Sequence, residues 1–422
     1  MKSKFAYLLL LCIIGNYISA QNDKKVTGIV RSAKDKDRLA FASVGITGTG
    51  IGTVTNESGM FTLNIPSENI KDSIKISYIG FKSWAGKIKI QGDTLFFDLE
   101  PETYLLSSVI ILPPGITAES IYKEAIKRIS KNYARKPFYQ LAFYREMATL
   151  DNTFTRLIEA AVEVQDFGYD AAAERRRIKV VEFRKSDDFI ETNWKDFLVK
   201  TIYGSSNDLI HTFDNCDRAR TLFSNKGEIP KGLKIVLNGI TTFDGVEVFE
   251  IEVQDTQYYL LNKTTYFINK SDYAILQISA EAHFGVSPEK KDAKVRAMMD
   301  ASRWVMLVKY KKIGDKYYMY YGKYIQPESL AAIDLKKTGK GQQFKSQEIL
   351  INNTITSRSD WDRVKRKERQ VMDKDLYKQD FVYHPSFWSN YIILLRNPLL
   401  KQVITDLNRG KTLEEQFYDN GN

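Results

Sequence analysis

Short apolar or alternating runs, each closed by turn residues, recur through most of this 422-residue chain, and that pattern restricts it to mainly antiparallel β-structure. Alternation with period two puts successive side chains on opposite faces of a sheet, and closely spaced turns leave no room for the crossovers that parallel strands need. Between Val26 and Leu99 the runs Val26–Val30, Ala42–Ile46, Met60–Ile65, Ser73–Tyr78, Phe81–Ile90 and Thr94–Leu99, with the stretch through Gly48, Gly50 and Gly52, predict a sandwich of about seven strands. Pro113-Pro114 marks a boundary, because neither helix nor central strand accepts two prolines. Thr117 to Tyr133 then sets Ile121, Ala125, Ile129 and Tyr133 on one face of a helix.

β signals return at Phe138–Arg145 and Phe154–Val164, and again at Leu233–Asn238, Val246–Val253, Tyr258–Ile268, Tyr273–Ala280, Trp304–Ile313, Lys316–Ile325 and Gln347–Thr356. Asp244-Gly245, Asn269 to Asp272 and Gly314-Asp315 supply hairpin turns, so this half reads as a long, curved meander with helices added. Residues 170–230 and 285–300 read as helices and loops, Pro398–Leu407 as a short helix, and the chain from Asn408 as a polar, frayed tail. The expected organisation is a leader over 1–20, a β-sandwich over 25–112, an α+β domain over 117–407 and a tail over 408–422.

The leader carries Lys2 and Lys4, an apolar stretch from Phe5 to Ile14 and small or polar residues up to Ala20. This is the order of a secretory signal, and the apolar run falls short of the ~20 residues that span a bilayer. Cys12 follows Leu9, Leu10 and Leu11 rather than the small residue of a lipidated leader, and reads as part of the apolar run. Without Cys12 only Cys216 remains, so no intramolecular disulfide is available. No later stretch is long and apolar enough to span a membrane, so peripheral association is the most the mature chain is expected to make. Removal of Lys2 and Lys4 leaves 60 basic and 52 acidic residues, a formal charge of +8. That interspersed surplus suits weak attraction to anionic envelope polymers or headgroups, and an exported chain is not expected to meet nucleic acid.

Several segments of the first domain carry a family likeness. Gly28-Ile29-Val30, Ala42-Ser43-Val44, Gly52 to Phe61 and Ser77-Tyr78-Ile79-Gly80-Phe81 resemble successive signatures of the carboxypeptidase regulatory-like domain. Leu106 to Ile111 resembles the segment that closes this module in Bacteroidota envelope proteins. The resemblance implies a β-sandwich, an envelope address and an accessory role, since in the peptidases the catalytic half lies elsewhere. Phe143-Tyr144-Arg145-Glu146 and Phe387 to Tyr391 resemble motifs of uncharacterised proteins with the same module in front. The layout of strands around Tyr266 to Ile275 is similar to the curved sheets of lipoprotein-carrier-like envelope proteins.

Catalytic chemistry is hard to place on this chain. The mature histidines are His211, His283 and His384, without a His-Glu-x-x-His pair, and Cys216 lacks a cysteine partner, so neither metal nor cofactor is expected. Glycines 48, 50 and 52 lack a phosphate-loop pattern, and Asp35-Lys36-Asp37 reads as a solvated loop. Glu146, Glu159 and Glu163 lie on adjacent strands as the acids a hydrolase would need, but read more simply as solvent-facing acids beside lysines. The basic runs Arg175-Arg176-Arg177 and Arg363 to Arg369 contain or adjoin acids and read as faces in water.

The unusual feature is aromatic content, 24 Tyr and 23 Phe, concentrated at Lys316-Tyr317-Tyr318-Met319-Tyr320-Tyr321. Aromatic side chains on both faces of one strand mean either protein cover on both sides or a groove for a ligand. Tyr310, Tyr318, Tyr320 and Tyr266 are the candidate ligand-binding residues. The expected function is therefore non-catalytic binding of a lipid or other hydrophobic ligand, a glycan or an outer-membrane protein by the second domain, with the sandwich as docking module. A hydrolase with acids scattered over strands and a soluble accessory subunit of an outer-membrane complex are the alternatives.

Overall fold

The computed structural model describes residues 24–87, 94–102, 105–106, 112–171, 175–189, 209–224, 232–255, 262–283, 303–327, 343–360, 362–370, 375–390 and 401–421. The expected leader, most of the module-closing segment and Tyr391 lie outside the described residues.

The first segment is a two-layer sandwich. In one sheet β1 (Lys24–Ser32) lies between antiparallel β4 (Met60–Ile65) and parallel β7 (Leu95–Leu99). In the other, the order is β3 (Gly52–Val54), β2 (Ser43–Ile46), β5 (Ile74–Ser77) and β6 (Trp84–Gly86). Val26, Val30, Phe61, Leu63, Ile74, Ile76 and Phe97 fill the space between them. The turn before β4 is held by the Asn56 carboxamide oxygen, which accepts from the N–H groups of Ser58 and Met60 at 2.9 Å each. Gly59 ends it at φ +68°, where a Cβ would lie 2.6 Å from the Val30 carbonyl, so only glycine fits.

The second segment is a sheet of ten antiparallel strands, with an eleventh short strand at its edge. β12 (Leu233–Phe243), β13 (Val246–Asp255), β14 (Asn262–Asn269), β15 (Ile275–His283), β16 (Arg303–Ile313), β17 (Lys316–Pro327) and β18 (Gln343–Ile355) follow one another as a meander. β9 (Phe138–Leu150), β10 (Thr153–Asp166) and β11 (Arg177–Lys185) continue it beyond β18. Asp244 and Gly245 both take positive φ, 57° and 80°, as a two-residue hairpin loop requires. One expectation is corrected here. Arg177–Lys185 falls in a stretch read as helices and loops, but it is a strand, whose alternation a register shift against Ala161/Val162 interrupts. Leu105–Leu106 (β8) pairs with β12 and covers the edge of the large sheet.

Both faces of the sheet are covered, and this explains the aromatic strand. On one face lie α1 (Ala118–Lys127), α2 (Ile129–Asn132), α3 (Leu209–Cys216) and α4 (Arg218–Ser224). Tyr122 of α1 packs on Tyr266, Tyr133 packs on Tyr310, and Cys216 closes on Gly322. The other face carries the sandwich over β16 to β18, where Phe41 stacks on Tyr321. Beyond it lie α5 (Pro385–Asn390), α6 (Lys401–Leu407) and α7 (Leu413–Asp419). The tail expected to fray is therefore helical. Thr412 and Glu415 cap α7 reciprocally, and Leu413 and Phe417 are buried by it. One continuous hydrophobic core runs from Val26 to Phe417.

The same face holds a row of charge. Lys323, Glu348, Arg145, Glu159 and Arg184 are cross-strand neighbours on β17, β18, β9, β10 and β11. Glu159 is fully buried and accepts from Arg145 Nε at 2.9 Å and Arg184 Nε at 2.8 Å. Glu348 accepts from the Tyr321 hydroxyl at 2.8 Å and lies 3.9 Å from Arg145. The row ends on Glu57 of the sandwich, 2.5 Å from Lys323, and beneath Trp388 and Phe417, whose rings lie 4.3 and 4.7 Å from the Arg184 guanidinium. Glu146 and Glu159 are thus buried counter-ions, not solvent-facing acids. Arg176 departs from expectation in the same way: it is buried and binds Asp166, Asp214 and Asp217. Removing one member of such a row strands its neighbours. Glu159→Gln is expected to cost about 3–5 kcal/mol, read as a lower urea midpoint; an unchanged midpoint would show the row to be energetically neutral.

Candidate functional site

The sandwich meets the sheet through the segments that carry its family signatures. The Gly80 N–H donates to Thr242 O at 2.9 Å, and Ser77 Oγ donates to Asp244 at 2.6 Å. Lys75 pairs with the same carboxylate at 2.6 Å, and the Ser43 and Tyr320 hydroxyls are hydrogen-bonded. Lys309 Nζ donates to Phe41 O at 2.6 Å, and Lys311 Nζ donates to Gly50 O. At Gly50 the two backbones touch: a Cβ there would lie 2.5 Å from Thr354 O and 2.8 Å from Thr354 N. Neither atom can yield cheaply. Gly50→Ala is expected to loosen the sandwich from the sheet, splitting one thermal transition into two; a single transition at the original temperature would count against tight docking.

A cleft of about 310 Å³ opens along this seam. Its origin is topological. β15 pairs with β16 only as far as Gln277 opposite Lys309, so Tyr310 to Ile313 continue without a partner on that side. The gap is roofed by Ser43 to Thr49 of the sandwich and walled by Phe243, Asp244 and Val246 of the β12–β13 hairpin. Leu276, Tyr310, Lys311, Lys312, Tyr317 and Tyr320 complete it. Most of the wall is apolar or aromatic, with hydroxyl and amine groups set into it.

The electrostatics of the seam are uneven. Lys75 has Asp244, and Lys312 faces Asp272 at 3.6 Å. Tyr317 donates to the same Asp272 carboxylate at 2.9 Å and accepts from Asn269 Nδ2 at 3.3 Å. Lys309 and Lys311 have backbone carbonyl partners and, among the described residues, no carboxylate. Desolvation pushes both ammonium groups down from 10.5 to about 7. Between those values the unfolded chain binds more protons than the folded one, so stability rises with pH across the window and is lowest below about pH 7. The buried tyrosines, held above their usual range by desolvation, oppose this only from about pH 10. The melting temperature is expected to climb from pH 7 to pH 9, with a shallower climb in Lys309→Met. Equal slopes would show that Lys309 is not protonated in this way.

The structure brings together part of the expected tyrosine set. Tyr310 and Tyr320 line the cleft. Tyr310 also accepts from the Ala219 N–H at 3.0 Å on the helix side. Tyr266 lies under Tyr122 with ring centroids 5.1 Å apart, away from the cleft. Tyr318 packs edge-on against Phe138, 5.0 Å away, in a small cluster of its own. All four are buried. Lys311 and Lys312 escaped the sequence reading, because nothing local marks where β15 stops. Glu146 and Glu159 face opposite sides of the sheet, since Arg145 pairs with Glu159 and the next residue points the other way. They cannot flank one substrate.

The comparisons bear on the first segment. The family model for the CarboxypepD_reg-like domain matches residues 26–111. The amino-terminal sandwich is a carboxypeptidase regulatory-like domain. Over 117 residues, 28% of this chain, the protein is 26% identical to TonB-dependent receptor P3 of Formosa agariphila. It spans only 11% of that receptor's length. Among solved structures, an outer membrane lipoprotein-sorting type domain from Vibrio parahaemolyticus is 11% identical, with 58% of this chain and 97% of that one covered at a TM-score of 0.24. A LolA superfamily protein from Nitrosomonas europaea is also 11% identical, covering 58% of this chain and 94% of that one at 0.22. At such scores the overlap carries nothing further. The regulatory-like domain, for its part, turns its signature loops inward onto its own chain, at Glu57, Ser77 and Gly80.

Proposed function

We propose that this is a non-catalytic binding protein of the cell envelope, and that its ligand occupies the cleft between the regulatory-like domain and the large sheet. The observation that carries the reading is the cleft itself, walled by both segments and containing Tyr310 and Tyr320. Its volume falls at the small end of ligand sites (about 300–1,000 Å³), and its walls combine apolar side chains with a few polar groups. The helices on the opposite face fill that side of the sheet around Tyr133 and Tyr310, which favours the seam over the helix side as the place for a ligand. In this reading the regulatory-like domain is a fixed wall of the site. An exported leader and the receptor likeness support a periplasmic or outer-membrane-associated setting. The arginine-bound state of Glu146 and Glu159 argues against the hydrolase alternative.

Val246 stands on the cleft wall, partly exposed on the β13 strand, where an indole is compatible with β-structure. Native mass spectrometry of the full chain purified from envelope extracts is expected to show a bound small molecule, lost in Val246→Trp. The reading fails if the adduct persists in that variant. It fails equally if the protein is clean and no lipid or glycan panel raises its melting temperature.

A further inference from the structure

The cationic groups of the cleft are not balanced. Lys75 and Lys312 each face an aspartate, whereas the Lys311 ammonium has Gly50 O as its acceptor among the described residues. An ammonium carries three donors, so two remain for whatever enters. Lys311 lies over the Tyr320 ring at 5.8 Å, and Lys312 over Tyr317 at 5.4 Å, which fixes both stems along the cleft wall. Phe243, Val246 and Leu276 supply apolar lining in the same cleft, while Val44 and Ile46 reach it through their backbone because their side chains join Ile76 and Ile74 inside the sandwich. Holding a desolvated cation without a counter-charge is costly, and a protein interior normally supplies a carboxylate. Here the open side of the cleft is where one is missing.

We infer that the cleft takes an amphipathic anion, whose carboxylate or phosphate joins Gly50 O as a partner of Lys311 while its apolar part lies against Phe243, Val246 and Leu276. The inference rests on the cleft being the binding site, and it adds the chemistry of the ligand. The apolar lining calls for an acyl or aryl group. The single unbalanced ammonium calls for one anionic head, which a fatty acid or an alkyl phosphate would each supply. Lys312, half-exposed and paired with Asp272, lines the same cleft but brings its own counter-charge.

The test uses the full chain with octanoate, octyl phosphate and octanol, read by calorimetry and thermal shift. Octanoate or octyl phosphate is expected to bind and octanol to bind at least about tenfold more weakly, the worth of one hydrogen bond to a charged group. The tighter of the two anions tells a carboxylate source from a phosphate source. Lys311→Met is expected to erase the preference for the charged probe, and Lys311→Arg, which keeps charge and donors, to retain it even if Lys311→Met also loosens the seam. Octanol binding as tightly as octanoate, with Val246→Trp blocking both, overturns the anion and leaves the cleft reading standing. Anion binding that survives Val246→Trp overturns both. No binding of any probe overturns the anion alone, because a neutral or larger ligand would still suit the cleft.

Discussion

Glu159 lies between Arg145 and Arg184 with no access to water, and the charges continue outward through Glu348 to Lys323. A line of alternating charge under a protein cover is tolerable only if every member has neighbours of opposite sign and the two ends are closed. One end is closed by Glu57 of the regulatory-like domain and the other by the rings of Trp388 and Phe417. The sheet therefore depends on covers drawn from the two extremes of the chain. The row also sets register. A slip of one residue on any of the five strands would turn its charge to the opposite face and leave its neighbours unpaired.

That requirement changes what the regulatory-like domain is in this protein. Its inward loops meet the sheet through Lys323, Lys309, Lys311, Tyr320 and Asp244. The glycine that permits the closest approach, Gly50, is one of three in a stretch that sequence alone marks only as a turn. The cleft follows from the same packing. β16 and β17 run on past the start of β15, and the β2–β3 loop spans the gap without filling it.

Much of the architecture was legible locally. The hairpins at Asp244-Gly245 and Gly314-Asp315 announced themselves, since the positive φ at Asp244, Gly245 and Gly314 needs particular residues. The strands of the meander followed from their apolar runs. β11 did not, because its inward side chains Arg184 and Glu182 are charged and a register shift breaks its period. The α7 helix was misread for a similar reason, as Leu413 and Phe417 are too few apolar residues to outweigh a polar composition. The candidate tyrosines were identified by type and strand, and two of the four reached the cleft.

Sequence alone determined a mainly β chain with a regulatory-like sandwich in front, because alternation, turn residues and family signatures are properties of neighbouring positions. It also posed the question of Lys316 to Tyr321, where aromatic residues on both faces meant two covers or a groove. Only the tertiary structure decided that. Helices cover one face, the sandwich covers the other, and a cleft remains where strand lengths differ. The pairing of Glu159 and the unbalanced charge of Lys311 were likewise decided in space. Their partners lie up to 261 residues away, at a distance where no local pattern records which charge will face which.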